Sequence, residues 1–349
     1  MKVAVAMSGG VDSSVTAALL KQQGHEVIGI TMRLFPSPGG GESAAVRDAR
    51  AVAAHLEIPH QVACFEEEFR RLIIDEFIAE YRSGRTPNPC VACNRAIKFG
   101  LLLDQARRAG AELLATGHYV RVTGESPGIR HLRTARADRK DQSYFLYTLT
   151  QDQLALLTFP LGEMESKDQV RRLAREFNLP VAEKSDSQEV CFIPGDDYVA
   201  FLEQRGVAVR PGEIVHQDGR VIGQHLGTHR YTIGQRRGLG VAWSEPLYVA
   251  ALDAPHNRIV VGEQQSVMAG GLEAERMTWI IRPEAVEFSG HCKIRYRHQP
   301  VPCRALLRDD GRCLVRFDQP QKAVTPGQSL VFYQGDEVLG GGIITAPLA

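Results

Sequence analysis

A turn near the N-terminus carries the first group of residues whose types and spacing could do chemistry. Residues 8–14 read Ser-Gly-Gly-Val-Asp-Ser-Ser and join an apolar run to a helix-like stretch. Glycine lets the backbone approach a ligand without a Cβ clash, and amides at a helix N-terminus favour phosphate. No lysine follows the glycines, so this is not the mononucleotide loop Gly-x4-Gly-Lys-Ser/Thr. The turn predicts a phosphate-binding loop of another class, and an ordinary turn with a serine helix cap is the alternative.

Three cysteines form the second group. Cys90 and Cys93 make a Cys-x-x-Cys pair before a helical stretch at residues 95–108, and Cys191 comes much later in the chain. A thiol near a helix N-terminus is expected to have a lowered pKa and to be more nucleophilic. By itself such a pair leaves a redox pair, a metal site and coincidence open.

The elements that must position these residues alternate between strand and helix up to residue 205. Short apolar runs at residues 3–7, 27–32, 60–65 and 112–116 predict strands, and the segments between them predict helices. This alternation predicts a doubly wound parallel α/β sheet, in which ligands bind at the carboxyl ends of the strands.

The remainder of the chain has a different sequence pattern. After Gly206, short alternating segments lie between Gly, Pro and Asp turns, as at residues 230–233, and predict strands. We predict an α/β domain over residues 1–205, a small β-rich central domain over residues 206–273 and a C-terminal β-barrel over residues 274–349.

Composition bounds the class of protein. The 349 residues fit two or three domains, and 44% hydrophobic with 23% charged residues excludes disorder, a collagen and a coiled coil. Lys+Arg and Asp+Glu both number 41, which excludes a uniformly basic nucleic-acid binder but leaves basic patches open. We expect a cytoplasmic protein without a membrane segment and with reduced thiols. Cys64 and Cys313 lie in strand-like segments and are expected to be small buried hydrophobes.

Longer stretches around both groups resemble known proteins. The turn at residues 8–14 resembles the pyrophosphate-binding loop of the ATP pyrophosphatase superfamily, whose members activate a carbonyl oxygen as an adenylate and release pyrophosphate. Further stretches resemble the tRNA-specific 2-thiouridylase family (MnmA/TrmU) in order along nearly the whole chain. They are residues 87–100, 115–119, 140–146, 187–193, 231–240 and 326–329.

The resemblance implies a reaction. ATP adenylates O2 of the wobble uridine, position 34 of certain tRNAs, and sulfur then replaces the activated oxygen to give 2-thiouridine, AMP and pyrophosphate. The sulfur comes from a cysteine desulfurase, directly or through relay proteins. In the family's persulfide scheme Cys191 carries the persulfide, and Cys93 attacks it, releasing sulfide or forming a transient disulfide with Cys191.

Cys90 departs from the family's pattern, because many members carry Asp at this position as an acid/base candidate. The three thiols of Cys90, Cys93 and Cys191 could instead hold a [4Fe–4S] cluster whose open iron binds the sulfide. A zinc site is the weaker option, since zinc normally takes a fourth protein ligand. Persulfide relay and cluster stay open as competing mechanisms for one reaction.

The resemblance also implies binding residues. ATP, with Mg²⁺, is expected at Ala6, Met7, Ser8, Gly9, Gly10, Val11, Asp12, Ser13, Met32 and Gly117. The flipped target base is expected at Asn88, Pro89 and Cys90. Other tRNA contacts are expected at His118, Lys140, Asp141, Gln142, Arg295, Tyr296 and Gln328. Two segments without acidic residues, 219–244 and 288–308, could contact RNA phosphates, and solvated basic faces are the alternative.

Two other functions stay open beside tRNA thiolation. One is another ATP pyrophosphatase, such as a different tRNA thiolase or an amidotransferase-type synthetase, although a thiol pair would have no role in a synthetase. The other is a non-enzymatic RNA-binding protein with a structural metal at the three cysteines. The loop at residues 8–14 argues against that second alternative.

Overall fold

The structure is a computed structural model that describes residues 1–36, 41–124, 128–185 and 190–349. The first three residues of the motif at 187–193 therefore lie outside the described residues. Within the described ranges, none of the helices combines the length and the apolar character needed to cross a membrane.

The strands and helices follow in chain order. The strands are β1 (Lys2–Ala6), β2 (Glu26–Arg33), β3 (His60–Cys64), β4 (Leu113–Ala115), β5 (Val120–Thr123), β6 (His131–Thr134), β7 (Leu157–Thr158), β8 (Gly212–His216), β9 (Val221–His225), β10 (Tyr248–Asp253), β11 (Arg258–Gly262), β12 (Met268–Trp279), β13 (Glu287–Lys293), β14 (Val301–Leu307), β15 (Cys313–Lys322), β16 (Ser329–Gln334) and β17 (Glu337–Leu348). The helices are α1 (Val11–Gln22), α2 (Ala44–His55), α3 (residues 66–82), α4 (residues 89–108), α5 (Gln151–Ala155), α6 (Lys167–Glu176) and α7 (Tyr198–Gln204).

A parallel sheet of five strands carries the N-terminal region. Its order is β3-β2-β1-β4-β7, and all neighbouring strands run parallel. Val3 and Val5 of β1 pack on one face against α1, α2 and α6, whereas Ala4 packs on the other face against α4. Burial on both faces explains the continuous apolar runs of these strands, and the predicted doubly wound α/β sheet is confirmed.

Both long helices beside the sheet contain a wide turn. The N–H group of Asp75 in α3 bonds to the Arg70 carbonyl, and that of Leu102 in α4 bonds to the Ile97 carbonyl, each five residues back. Such π-type turns are rare and cluster at functional sites. The two wide segments belong to one buried cluster, so the helices pack together where their turns open.

Helix α4 begins earlier than the sequence pattern predicts. Asn88 is its N-cap, with its side-chain oxygen 3.4 Å from the Val91 N–H group, and Pro89 occupies the first turn. Proline suits this position because the first-turn N–H groups have no partner within the helix. Cys90 and Cys93 therefore lie inside the helix, not before it.

The central region forms a separate four-stranded sheet. Its order is β10-β11-β8-β9, with β11 and β8 parallel and the outer pairs antiparallel. The strand predicted at residues 230–233 is wrong: Thr228–Arg230 is a single helical turn. Gly227 and Gly234 flank it with φ angles of 149° and 85°, and these left-handed positions break an extended run.

The C-terminal region closes into a six-stranded barrel. Its strands pair in the order β12-β15-β14-β13-β16-β17, and β17 pairs back onto β12. The domain division predicted between residues 273 and 274 falls inside β12, which is one continuous strand. The β5–β6 hairpin of the N-terminal region, which the sequence pattern did not reveal, joins the barrel through the pairing of Arg133 with Glu337. The barrel and the α/β region thus share a sheet.

Candidate active site

The turn at residues 8–14 connects β1 to α1 and is folded by its own hydroxyl groups. The Ser8 N–H group lies 3.1 Å from Ser13 Oγ, which donates in turn to the Gly10 carbonyl at 3.2 Å. Ser14 Oγ donates to the same carbonyl at 2.8 Å. Among the described residues, no side chain caps the first amides of α1. These amides are therefore open to an anion such as phosphate.

Two glycines allow this loop to lie in close contact with its neighbours, because they have no Cβ atom. Gly9 has a φ of 69°, and a Cβ atom there would collide with the Ala45 carbonyl oxygen. A Cβ atom on Gly117, just after β4, would lie 2.9 Å from both Asp12 C and Ser13 N. Met32 is the last residue but one of β2, the strand beside β1. The predicted ATP residues thus gather where the strand order reverses between β1 and β4, the usual ligand crevice of such sheets.

Asp12 holds a cation at the loop. Its Oδ1 atom accepts hydrogen bonds from the Tyr119 hydroxyl and the Lys167 ammonium group, both at 2.7 Å. The Lys167 side chain is only 12% exposed, so the pair is well shielded from solvent. A positive charge beside an open helix N-terminus strengthens the case for an anion site.

A second lysine ties the loop to α2. Lys184 Nζ donates to the Gly9 carbonyl at 2.9 Å and to Asp48 Oδ2 at 2.6 Å. Sequence reasoning missed Lys167 and Lys184, because each stands far along the chain from the loop and has no local signature.

The thiol site is assembled from the start of α4 and the segment that contains Cys191. Cys93 is buried and belongs to the same apolar cluster as Phe192, whereas Cys90 and Cys191 reach solvent. The Phe192 ring packs edge-on against Phe77 with their centroids 5.3 Å apart, and this holds the Cys191 segment over α3. The structure therefore brings the three predicted cysteines to one place.

Burial dominates the titration of these thiols. It raises the pKa of Cys93 to about 12, and the neighbouring Cys191 and Cys90 add smaller increases. Burial also raises the pKa values of Cys90 and Cys191, and it is the largest cause for both thiols. The sequence predicted lowered values from the helix N-terminus, and that prediction is wrong because desolvation outweighs the dipole.

Lys98 is the cation of the thiol site. It lies five residues after Cys93 on the wide turn of α4, and its charge lowers the pKa values of Cys90, Cys93 and Cys191. In a π-type turn, residues five apart stack along one face, which brings the ammonium group toward the thiols. Regular helical periodicity does not pair Lys98 with Cys93, because it places positions three and four apart on one face, not positions five apart.

His118 lies between the loop and the thiol site. Its Nδ1 atom is 2.6 Å from Thr116 Oγ1, and its ring packs between Phe99 and Phe159. Burial first, and the charge of Lys98 second, holds the pKa of His118 well below its usual range. The imidazole is therefore neutral and could donate or accept a single proton.

The three thiols suit iron–sulfur chemistry by type, but their placement does not form a ligand set. Across residues 1–36, 41–124, 128–185 and 190–349, no three His, Cys, Asp or Glu side chains are arranged to hold a metal ion. The [4Fe–4S] alternative therefore stays a prediction, and no step below runs through a cluster.

Several predicted tRNA residues are engaged within the protein. Asp141 is 8% exposed and accepts hydrogen bonds from the Ala135 N–H group and the Ser143 hydroxyl. Gln142 Oε1 accepts from the Tyr119 N–H group at 3.0 Å. Lys140 ends the short turn before them. Asp141 thus shapes the loop from inside.

Two of the predicted barrel residues, Tyr296 and Gln328, contact the N-terminal region. Tyr296 follows β13, and its ring lies 4.4 Å from the Phe145 ring, centroid to centroid. Arg295 is exposed, and its guanidinium donates to the Lys322 carbonyl at 3.0 Å. Gln328 Nε2 donates to the Thr86 carbonyl at 2.8 Å, next to Asn88. The barrel and the thiol helix therefore form one continuous surface.

In both basic segments some of the charges are engaged within the protein. In the central region Arg220 pairs with Asp218 at 2.6 Å, and Arg230 pairs with Glu203 of α7 at 2.6 Å. In the barrel Lys293 is partly buried near Asp141 and has a lowered pKa.

Outside these segments, Cys64 is exposed at the end of β3, against the prediction, whereas Cys313 is buried in the barrel as predicted.

Comparison with known proteins assigns the family. The profile described as the tRNA methyl transferase HUP domain matches residues 1–195, the tRNA methyl transferase PRC-barrel domain matches 199–263, and the aminomethyltransferase beta-barrel domain matches 269–344. The chain is 62% identical to the tRNA-specific 2-thiouridylase MnmA of Pelobacter propionicus, over 100% of this chain and 98% of that protein. It is 63% identical to that of Trichlorobacter lovleyi, over 99% and 98%, and 54% identical to that of Geobacter metallireducens, over 99% and 97%. The chain therefore belongs to the tRNA-specific 2-thiouridylase MnmA family.

Proposed function

We propose that this protein catalyses the ATP-dependent 2-thiolation of the wobble uridine of tRNA. One observation carries the proposal: His118 joins the phosphate loop to the thiol site, because its ring packs on Phe99 of α4. His118 follows Gly117 of the loop directly, and Lys98 of the thiol helix acts on the pKa of His118 and of all three thiols. One bound uridine would therefore reach both parts.

Adenylation is assigned to the loop. The triphosphate of ATP would accept hydrogen bonds from the first amides of α1, with Lys167 and Lys184 balancing its charge. Mg²⁺ would neutralise the phosphates further, and Asp12 is the carboxylate placed to hold it. O2 of the uridine attacks the α-phosphorus, pyrophosphate leaves, and C2 becomes open to a sulfur nucleophile.

Sulfur transfer is assigned to Cys93 and Cys191. The donor loads Cys191 as a persulfide, Cys191–S–SH. The Cys93 thiolate attacks the inner sulfur, so that a Cys93–Cys191 disulfide forms and HS⁻ leaves. HS⁻ attacks C2 and expels AMP, and a dithiol reductant then returns the two thiols. The raised pKa of Cys93, which already includes the charge of Lys98, keeps the thiol protonated until the substrate favours the thiolate.

The partners follow from this chemistry. The RNA partner is a tRNA with uridine at position 34, bound where the barrel meets α4, with Arg295, Tyr296 and Lys140 at its edge. The second partner is a cysteine desulfurase or a relay protein that loads Cys191, which is exposed. Because ATP and tRNA are its substrates, we expect the protein to act in the cytoplasm.

The test supplies ATP, a sulfur source and a tRNA transcript carrying uridine at position 34. We expect one pyrophosphate and one 2-thiouridine per turnover, measured by a phosphate-release assay and nucleoside mass spectrometry. Substituting cytidine at position 34 should abolish both products. Pyrophosphate release that ignores tRNA would indicate a different ATP pyrophosphatase, and no release at all would leave an RNA-binding protein.

A further inference from the structure

A loop of the barrel, residues 326–328, forms hydrogen bonds with the backbone just before α4, and we call it the gripping loop. The Thr86 N–H group donates to the Pro326 carbonyl at 2.9 Å. The Thr86 carbonyl accepts from Gln328 Nε2 at 2.8 Å. Both backbone polar groups of Thr86 are thus satisfied by one barrel loop, although the two segments are far apart in sequence.

The contact is close enough to require glycine. Gly327 lies between the two gripping residues with a φ of 92°, and a Cβ atom there would come within 2.9 Å of Thr86 N and O. Real Cβ atoms do not approach backbone atoms so closely, and L-residues rarely adopt this φ. An added methyl group would therefore push the two segments apart.

The gripping loop is itself anchored to the barrel wall. The Gly327 N–H group donates to the Ile344 carbonyl at 2.9 Å, and the Ile344 N–H group donates to the Gln328 carbonyl at 2.9 Å. Because Ile344 belongs to β17 and is fully buried, the loop moves with the barrel.

The gripped segment leads straight into α4. Pro87 and Pro89 enclose Asn88, the N-cap, and prolines restrict the backbone on both sides. With little freedom between Thr86 and Cys90, a displacement of Thr86 is passed to the first turn of the helix. A second link runs parallel: Asn94 Nδ2 donates to the Phe145 carbonyl at 3.1 Å, and the Phe145 ring packs on Tyr296 of the barrel.

We propose that Gly327 and Gln328 are positioning residues for sulfur transfer, which hold the start of α4 to the barrel so that tRNA bound on the barrel acts on the thiols. This inference rests on the proposed function. It gives Gln328 a role apart from the tRNA contact that the sequence predicts, because its amide donates to Thr86 and, at 3.4 Å, to the Pro87 carbonyl.

The experiment compares Gly327→Ala and Gln328→Met with Gly311→Ala in the full-length protein. Gly311 is a matched control, because its φ of 81° imposes the same backbone strain while no described atom lies within 4 Å of a Cβ there. Gln328→Met keeps the length of the side chain but removes its N–H donors. It keeps the proposal testable if Gly327→Ala fails to fold. The readouts are tRNA thiolation, pyrophosphate release and the iodoacetamide modification rate of Cys90 without tRNA, followed by peptide mass spectrometry.

We expect both test variants to lose about tenfold or more of the thiolation turnover, as misplaced reacting groups do, with pyrophosphate release unchanged, and we expect Gly327→Ala to keep the wild-type KM for tRNA. Cys90 modification should change severalfold in both, and Gly311→Ala should match the wild type throughout. Wild-type turnover and Cys90 reactivity in both variants would overturn the proposal, as would a rise in the KM for tRNA alone. If the wild type thiolates no tRNA while Cys90 reactivity still changes, the proposed function fails and only the structural link between the barrel loop and α4 holds.

Discussion

The phosphate loop and the thiol site are built in opposite ways. The loop is one run of sequence, residues 8–14, and its own serines fold it around the start of α1. The thiol site needs the first turn of α4, a segment near residue 191, the wide turn that carries Lys98 and the barrel loop that grips Thr86. A loop that its own residues fold keeps its shape when distant regions move, whereas an assembled site can respond to a second ligand. Adenylation and sulfur transfer should therefore respond differently to mutation.

The largest expected effect separates two neighbouring cysteines. Cys93→Ser should abolish thiolation, by at least about a thousandfold, because the attacking thiol is lost. Cys90→Ser is the matched control and should keep most of the turnover if sulfur moves by persulfide relay. Nucleoside mass spectrometry of the tRNA gives both rates. Loss of activity in Cys90→Ser, together with iron and acid-labile sulfide in the anaerobically purified wild type, would replace the relay with the cluster mechanism.

The next effect concerns the loop. Gly9→Ala should lower pyrophosphate release by about a hundredfold, because the methyl group meets the Ala45 carbonyl and moves the amides away from the phosphates. Gly24→Ala is the control, since its φ of 83° is equally strained and no described atom lies within 4 Å of the new Cβ. Equal losses in the two variants would show that backbone strain, not loop geometry, causes the defect.

A smaller effect tests the cation of the thiol site. Lys98→Met should raise the pKa values of the three thiols, because Lys98 lowers each of them now. The thiolate form then requires a higher pH, so thiolation should fall about tenfold at neutral pH and recover as the pH rises. Lys98→Arg keeps the charge and should restore the profile in part. A loss in Lys98→Met that is the same at every pH would contradict this electrostatic role.

The smallest effect lies at Asp12. Tyr119→Phe removes the hydroxyl that donates to Asp12 at 2.7 Å and should raise the KM for ATP severalfold, since one such hydrogen bond contributes about 1 kcal/mol. Steady-state pyrophosphate release at varied ATP measures it. An unchanged KM for ATP would mean that Lys167 alone holds the carboxylate.

The same contrast explains what could be predicted from the sequence. The parallel sheet and the loop follow from apolar runs and local turns, which the chain encodes over short distances, whereas Gly117 was expected only from the family resemblance. The effect of Lys98 on Cys93 was not predicted, because the two residues are five positions apart and come together only through the wide turn of α4. The raised pKa of Cys93 was missed for a related reason: its burial depends on Phe192, which is remote in sequence. The hydrogen bonds between the barrel loop and Thr86 were likewise not predicted, because they join segments that are far apart in sequence.

The central claim is that the two regions perform two separable steps on one uridine. The most direct measurement follows tRNA by intact mass spectrometry after a single turnover of Cys93→Ser with ATP and a sulfur donor. The account predicts adenylated tRNA and pyrophosphate without 2-thiouridine. Thiolated tRNA from this variant, or the absence of both adenylate and pyrophosphate, would contradict it.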